Sequence, residues 1–322
     1  MESPLDQACR AAWLYYIGGY KQGQVAERLG VSSAKAHRLI AQAHEAGLVQ
    51  VHVQGRPAHC MELEERILKH FGLKGCVVTP TLHEEDDPRQ NFHEVGMASA
   101  LWVTELLRSG EHSIVGVGKG RSLKAFAKHL PDLPLPDTRF VSISGSLTRT
   151  FAANREDVIL TLMQKTGGEG YINPVPYIAS SREQRDLLLA QESVSGVMAL
   201  ARQASLCVLG IGSLNRDTYI QTVGLVSPEQ WDDLRRSGAI SDLVGNFVDA
   251  LGRKVDCAVN QHALSLSLED LSGRRVVAVA GGHDKALACL GALRTGVITD
   301  LIVGETVARA LVKLLDGEEH ER

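Results

Sequence analysis

The spacing of apolar residues changes partway along the chain, from helical spacing throughout to short apolar runs separated by helical stretches. Ala11, Ala12, Leu14, Tyr15 and Ile17 predict a first helix over 8–18, stopped by Gly18-Gly19. Val25, Ala26 and Leu29 fall on one stripe and predict a second helix over 22–29. Gly30 then offers a left-handed stop, and Ser32-Ser33 offers a side-chain cap for a third helix over 33–46 with Ala36, Leu39, Ile40 and Ala43 inward. Gly47 ends it, and 48–53 alternates like a short strand or wing. A Pro at 57 breaks the pattern before a further helix over 61–71.

Beyond that helix, apolar runs at 76–78, 114–115, 140–143, 171–172, 206–209, 276–279 and 301–303 predict strands. Helical patterns at 92–108, 123–130, 156–166, 182–203, 285–295 and 306–315 lie between most of them. Strands alternating with helices pair in parallel through right-handed crossovers, so the fold class is α/β, a doubly wound, mostly parallel sheet. Residues 1–56 therefore form a small helical domain and 57–322 an α/β domain. The acidic, Pro-interrupted stretch 83–91 reads as a solvated loop carrying no site.

Composition sharpens this only in part. Hydrophobic residues at 44% and charged residues at 22% allow a large core and exclude a disordered polymer. The net charge of −4 excludes a wholly basic chain, but residues 20–56 carry five Lys/Arg against two Glu. That segment is +3, which leaves −7 for the rest. A basic head on an acidic body fits one module that touches nucleic acid. No apolar run is long enough for a membrane helix, and the N-terminus lacks the basic start and apolar core of a signal peptide, so the expected location is cytoplasmic. Six dispersed cysteines predict reduced, mostly buried thiols, and no His/Cys spacing predicts a metal or other cofactor.

Two helices joined by a Gly-containing turn, the second capped by Ser, have the anatomy of a helix-turn-helix. Its outward residues would be Ser32, Ser33, Lys35, His37 and Arg38; a helical hairpin with ordinary solvated cations is the plainer alternative. In the α/β part, ligands bind where strand ends feed helix N-termini. The loop from Gly116 through Val117, Gly118, Lys119, Gly120 and Arg121 to Ser122 has alternate glycines for close backbone approach, two cations and a hydroxyl, which suits a phosphate. It is neither a Walker loop nor a complete dinucleotide fingerprint. Ser144-Gly145-Ser146 follows another strand, with Asn154 nearby, and suits hydroxyl recognition or a plain turn. Lys285 opens a helix where the dipole disfavours a cation, so an anionic ligand would offset it. Asp249 could accept sugar hydroxyls or simply cap its turn.

The order Ala12-Trp13-Leu14-Tyr15-Tyr16, then Gln24 to Ser32, then Arg38-Leu39-Ile40, followed by an α/β body, resembles the SorC family of bacterial sugar-responsive transcriptional regulators. The 116–122 loop is similar to that family's glycine-rich phosphate loop, and Gly281-Gly282 with Lys285, and 301–305 with Ala308, to its C-terminal signature. The resemblance implies an effector domain related to phosphosugar isomerases, operator DNA and a phosphorylated sugar or polyol as partners, and a homo-oligomer, a tetramer or dimer. It implies anion and hydroxyl contacts from Gly118, Gly120, Ser122, Ser144, Asn154, Asp249 and Lys285. Lys119 and Arg121 stand where the family has Trp and Thr, and Lys21 stands where a capping Thr is usual. The competing reading is a sugar-phosphate isomerase or lactonase with an accessory head. It lacks a second acid/base group by spacing and leaves the basic head without a role, so no enzyme activity is expected.

Overall fold

The structure, a computed structural model, describes residues 3–49, 57–81, 88–147, 158–215 and 219–320. It divides into two compact units, Met1–Gly55 and Arg56–Arg322.

The first unit contains α1 (Pro4–Ala12), α2 (Gln22–Leu29) and α3 (Ser33–Glu45). The first helix starts four residues earlier than its apolar pattern predicts, because Ser3 and Asp6 form a reciprocal cap with Pro4 behind it. It continues past Ala12 as a π-helical turn, Trp13–Ile17. Lys21 contributes no side-chain cap to α2, yet the side-chain amide oxygen of Gln24 accepts the Lys21 backbone N–H at 2.9 Å, so half of a capping box survives. Gly30 ends α2 in the left-handed region, at φ 62°, where a side chain is disfavoured. Ser32 then caps α3 by accepting the Lys35 N–H at 3.2 Å. Ala8, Ala11, Val25, Ala36 and Ala43 are fully buried between the three helices. Side chains this small let the helices approach closely. Leu48 and Val49 are not in a strand, and the rest of the expected wing lies outside the described residues.

The second unit contains ten strands among the described residues. They are β1 (Gly75–Thr79), β2 (Ile114–Val117), β3 (Arg139–Ser142), β4 (Glu169–Tyr171), β5 (Leu206–Gly210), β6 (Gly212–Ser213), β7 (Ser241–Leu243), β8 (Asn246–Val248), β9 (Arg275–Ala280) and β10 (Asp300–Gly304). Seven form a parallel sheet in the order β1-β10-β9-β5-β2-β3-β4, and these are the seven strands read from the apolar runs. The helical stretch expected over 182–203 is two helices, Arg182–Ala190 and Glu192–Ala201, broken where Gln191 is extended. Central strands β5, β9 and β10 are buried along nearly their whole length, which explains their continuous Val/Leu/Ile runs. Gly116 sits mid-strand because a Cβ there would lie 2.6 Å from Ile143 and 2.8 Å from the Cys207 sulfur.

A small antiparallel sheet, β6-β7-β8, and a separate apolar cluster around Trp231, Leu234 and Phe247 are additions that the apolar pattern did not reveal. The turn from β7 to β8 has only two residues between the paired Leu243 and Asn246. Both take positive φ, 57° at Val244 and 84° at Gly245. That is the twist a two-residue hairpin needs, but a β-branched residue there is strained. All six cysteines are free thiols and five are buried. No helix among the described residues is long and apolar enough to cross a membrane.

Candidate functional site

Strands β2 and β5 are neighbours at the middle of the sheet. From them the order runs outward through β3 to one edge and through β9 to the other. Reversal of strand order opens a crevice beyond the C-terminal strand ends. A pocket lies there, lined by Lys119, Gly120, Arg121 and Ser122 after β2, Ser144 after β3, Gly210 and Ile211 at the end of β5, and Lys285 after β9. Phe92, Tyr177, Asp242 and Val244 complete the wall.

The loop after β2 delivers an open helix end. Gly120 has φ 118°, ψ 170°, a conformation that essentially only glycine takes, and it precedes the helix Arg121–His129. No side chain caps that helix, and its first turn has no acid. Its first N–H groups therefore face the pocket region without intrahelical acceptors, as an anion site requires. The Arg121 guanidinium lies 5.1 Å from the centre of the Phe92 ring. Ser122 is buried, and its hydroxyl accepts the Gly281 N–H at 3.0 Å, which ties this loop to the end of β9. Asn91 accepts the N–H of Gly282 at 3.2 Å and holds the same corner.

A buried acid faces these cations. Asp242, in β7, accepts the Tyr177 hydroxyl at 2.9 Å and the Gly245 N–H at 2.6 Å. The strained Val244-Gly245 turn thus serves to aim a carboxylate. Burial pushes the Asp242 carboxyl up to about 6, against the lowering effect of those hydrogen bonds and of Lys119 and Lys285. Burial brings the Lys285 ammonium down to about 8. Its amine donates to the Ile211 carbonyl at 2.6 Å. The Lys119 amine is shielded from water and lies 5.3 Å from the centre of the Tyr177 ring. Buried Ser144 has no hydrogen-bond partner for its hydroxyl among the described residues. Three cations against one acid, with an unpartnered hydroxyl, make a pocket ready for a small polar anion.

In the first unit, Ser32, Ser33, Lys35, His37 and Arg38 are all exposed around the first turns of α3, while Ala36, Leu39 and Ile40 are buried. Gln22 of α2 donates to the Ser33 carbonyl at 3.2 Å and holds the two helices together at the turn. The geometry is that of two helices presenting one polar helix face.

Residues 55–313 match the family described as "Putative sugar-binding domain". The chain is 36% identical over 311 residues to the erythritol catabolism regulatory protein EryD of Brucella abortus, covering 97% of this chain and 98% of the relative. It is 30% identical to the transcriptional regulator LsrR of Enterobacter sp., covering 96% and 93% respectively. Among solved structures, the full-length sorbitol operon regulator SorC from Klebsiella pneumoniae matches with a TM-score of 0.74, covering 95% of this chain and 97% of that one. At 24% identity, that likeness speaks for the fold.

The chain belongs to the SorC family of sugar-binding transcriptional regulators.

Within this SorC-family fold, Lys119, Gly120, Arg121, Ser122, Ser144 and Lys285 come together in one pocket, although their numbers span most of the second unit. Three other expected contacts do not line it. The Gly118 N–H donates to the Val208 carbonyl at 2.9 Å, so it extends the β-ladder and is not available to an anion. Gly145 is packed against the chain at Pro176, where a Cβ would fall 2.0 Å from the carbonyl oxygen; its role is close packing. Asp249 accepts the N–H groups of Leu251 and Arg253, both at 2.9 Å, and pairs with the Arg253 side chain, so it caps its own turn. The acid in the pocket is Asp242 instead. Asn154 lies outside the described residues. The stretch read as a siteless loop also needs correction: a helix begins at Pro88, and Asn91 and Phe92 support and line the pocket. Lys285 is the residue that precedes the helix Ala286–Arg294.

Proposed function

We propose that this SorC-family regulator binds operator DNA through α3 and is controlled by a small phosphorylated sugar or polyol held in the pocket. The observation that carries this reading is the convergence of an uncapped helix N-terminus with Lys119, Arg121 and Lys285 at the switch point of the sheet. Such a site binds phosphate through charge-assisted hydrogen bonds and orients the rest of the ligand with fewer polar groups. Asp242 and Ser144 are the acceptor and hydroxyl placed to meet the polyol end. The relative named for erythritol catabolism supports a short-chain polyol or its phosphate as the first class to test.

Operator contacts are assigned to Ser32, Ser33, Lys35, His37 and Arg38, with Ser32 and the helix N-terminus on phosphate and Arg38 on a base edge. One helix-turn-helix makes few contacts, so the working form is a homo-oligomer, a dimer or tetramer, acting in the cytoplasm. A monomer by light scattering at concentrations that still bind operator tightly would contradict that assembly.

The pocket binds without turnover. Both oxygens of Asp242 are engaged by Tyr177, and one also by Gly245, which makes it a fixed acceptor and a poor proton shuttle. Calorimetry with erythritol phosphate against free erythritol, and with matched pentose and hexose pairs, tests the ligand class. A phosphorylated member should bind at least tenfold more tightly than its free form. Equal affinity across every pair would remove the phosphate from the assignment, and conversion of any of them to product would restore the enzyme reading.

A further inference from the structure

Outside the pocket, three donor side chains of different chemistry meet where the first turn of one helix approaches the first turn of another. His59 and Cys60 open the helix Ala58–Phe71, and Glu305 opens the helix Glu305–His320 directly after β10. His59 Nε2 lies 3.0 Å from one carboxylate oxygen of Glu305, and the Cys60 sulfur lies 3.9 Å from the other. The imidazole nitrogen, thiol sulfur and carboxylate oxygen all fall within 4.8 Å of one another. We infer that His59, Cys60 and Glu305 form a binding site for a divalent zinc-class cation.

Geometry supports this first. Zinc bonds of about 2.0–2.3 Å at tetrahedral angles place ligand atoms roughly 3.3–3.8 Å apart. His59 stands 3.0 Å from one Glu305 oxygen and Cys60 3.9 Å from the other, and one donor atom from each of the three residues lies within 4.8 Å of the rest, so side-chain movements of about 1 Å bring the set to that spacing. The donor set of one thiolate, one imidazole and one carboxylate suits Zn²⁺ and disfavours Mg²⁺ or Ca²⁺, which prefer oxygen alone. Cys60 and Glu305 are buried while the His59 side chain is 45% exposed, so an ion and a completing water can enter from that side.

The surroundings hold the carboxylate in place. The Thr81 N–H donates to one Glu305 oxygen at 3.0 Å, and Arg309 donates to the other at 2.7 Å. Such outer partners orient a metal-bound carboxylate. Burial and the nearby Glu305 and Glu64 carboxylates push the Cys60 thiol up to about 11, so in the metal-free protein the thiol keeps its proton. A bound dication would offset that negative surrounding and stabilise the thiolate. On binding, the metal–sulfur bond forms as the thiol proton leaves to solvent, with no oxidation or reduction.

The test is titration of the reduced, full-length protein with Co²⁺ as a spectroscopic stand-in, followed by competition with Zn²⁺. The expected result is a thiolate-to-cobalt charge-transfer band with the visible bands of tetrahedral cobalt, both abolished by Zn²⁺. Cys60→Ser should lose the charge-transfer band. His59→Ala, a change at a half-exposed position, should weaken the metal by at least about tenfold. Zn²⁺ should also raise the Tm of the native protein, and at the same concentration raise that of His59→Ala less. A wild-type protein without the thiolate band, or the same band with unchanged affinity in both variants, would overturn the assignment. His59→Ala keeps the question decidable if Cys60→Ser fails to fold.

Discussion

In the first unit the residues assigned to DNA are exposed around the start of α3, while in the second the residues assigned to the effector come from separate segments and, Arg121 apart, are buried or half-buried. The difference follows from what each must bind. A DNA groove is a large polyanion that comes to the surface, so solvated side chains on a rigid helix suffice. A small effector gives up its water, so the pocket must supply buried partners in advance: Asp242 fixed by Tyr177 and Gly245, and Lys285 held on the Ile211 carbonyl. A surface contact can be removed without disturbing its neighbours. Removing an interior one leaves an uncompensated group, and its cost is larger.

The sharpest break of this comparison is Lys285→Ala. Loss of a partly buried cation from a bound phosphate should weaken effector binding by about 2–5 kcal/mol, with operator affinity of the effector-free protein unchanged. Matched calorimetry and gel-shift titrations would show it; a parallel loss of operator affinity would mean that the residue is structural. Arg38→Ala is the mirror experiment. Operator binding should fall by about 1–3 kcal/mol with relaxed specificity at one base pair, while effector binding is untouched.

The third prediction uses pH. Burial holds the Lys285 ammonium near 8, and a phosphate beside it favours the charged form. Binding therefore takes up a proton where that amine is neutral, so effector affinity should hold between about pH 7 and 8, above the range where Asp242 and the phosphate change charge, and decline as pH rises toward about 9, by up to roughly tenfold per unit. The decline should disappear in Lys285→Ala. Operator binding by exposed Arg38 should show no matching step, and a common profile for both ligands would break the contrast. The smallest effect expected is from Ser32→Ala. Losing the Lys35 N–H acceptor should lower the stability of the first unit by about 1 kcal/mol, seen as a lower Tm of its transition.

The sequence by itself determined whatever depends on neighbours along the chain. The three helices of the first unit, the Gly30 stop, the Ser32 cap and the outward set on α3 are local matters of period and capping, and they were legible. So were the seven parallel strands, because strands buried on both faces read as continuous apolar runs. The loop from Lys119 to Ser122 was also legible, because a strand, glycines and a helix start are adjacent in sequence. Tertiary structure decided the rest. The Val244-Gly245 turn lacks the Asn-Gly or Asp-Gly signal of a tight hairpin, so nothing local marked Asp242 as the buried acid or Asp249 as a turn cap. Tyr177 and Asp242 are 65 residues apart, and Cys60 and Glu305 are 245 apart. Their meeting depends on which strands become neighbours and on what burial does to a charge, and neither is written in the spacing of residues along the chain.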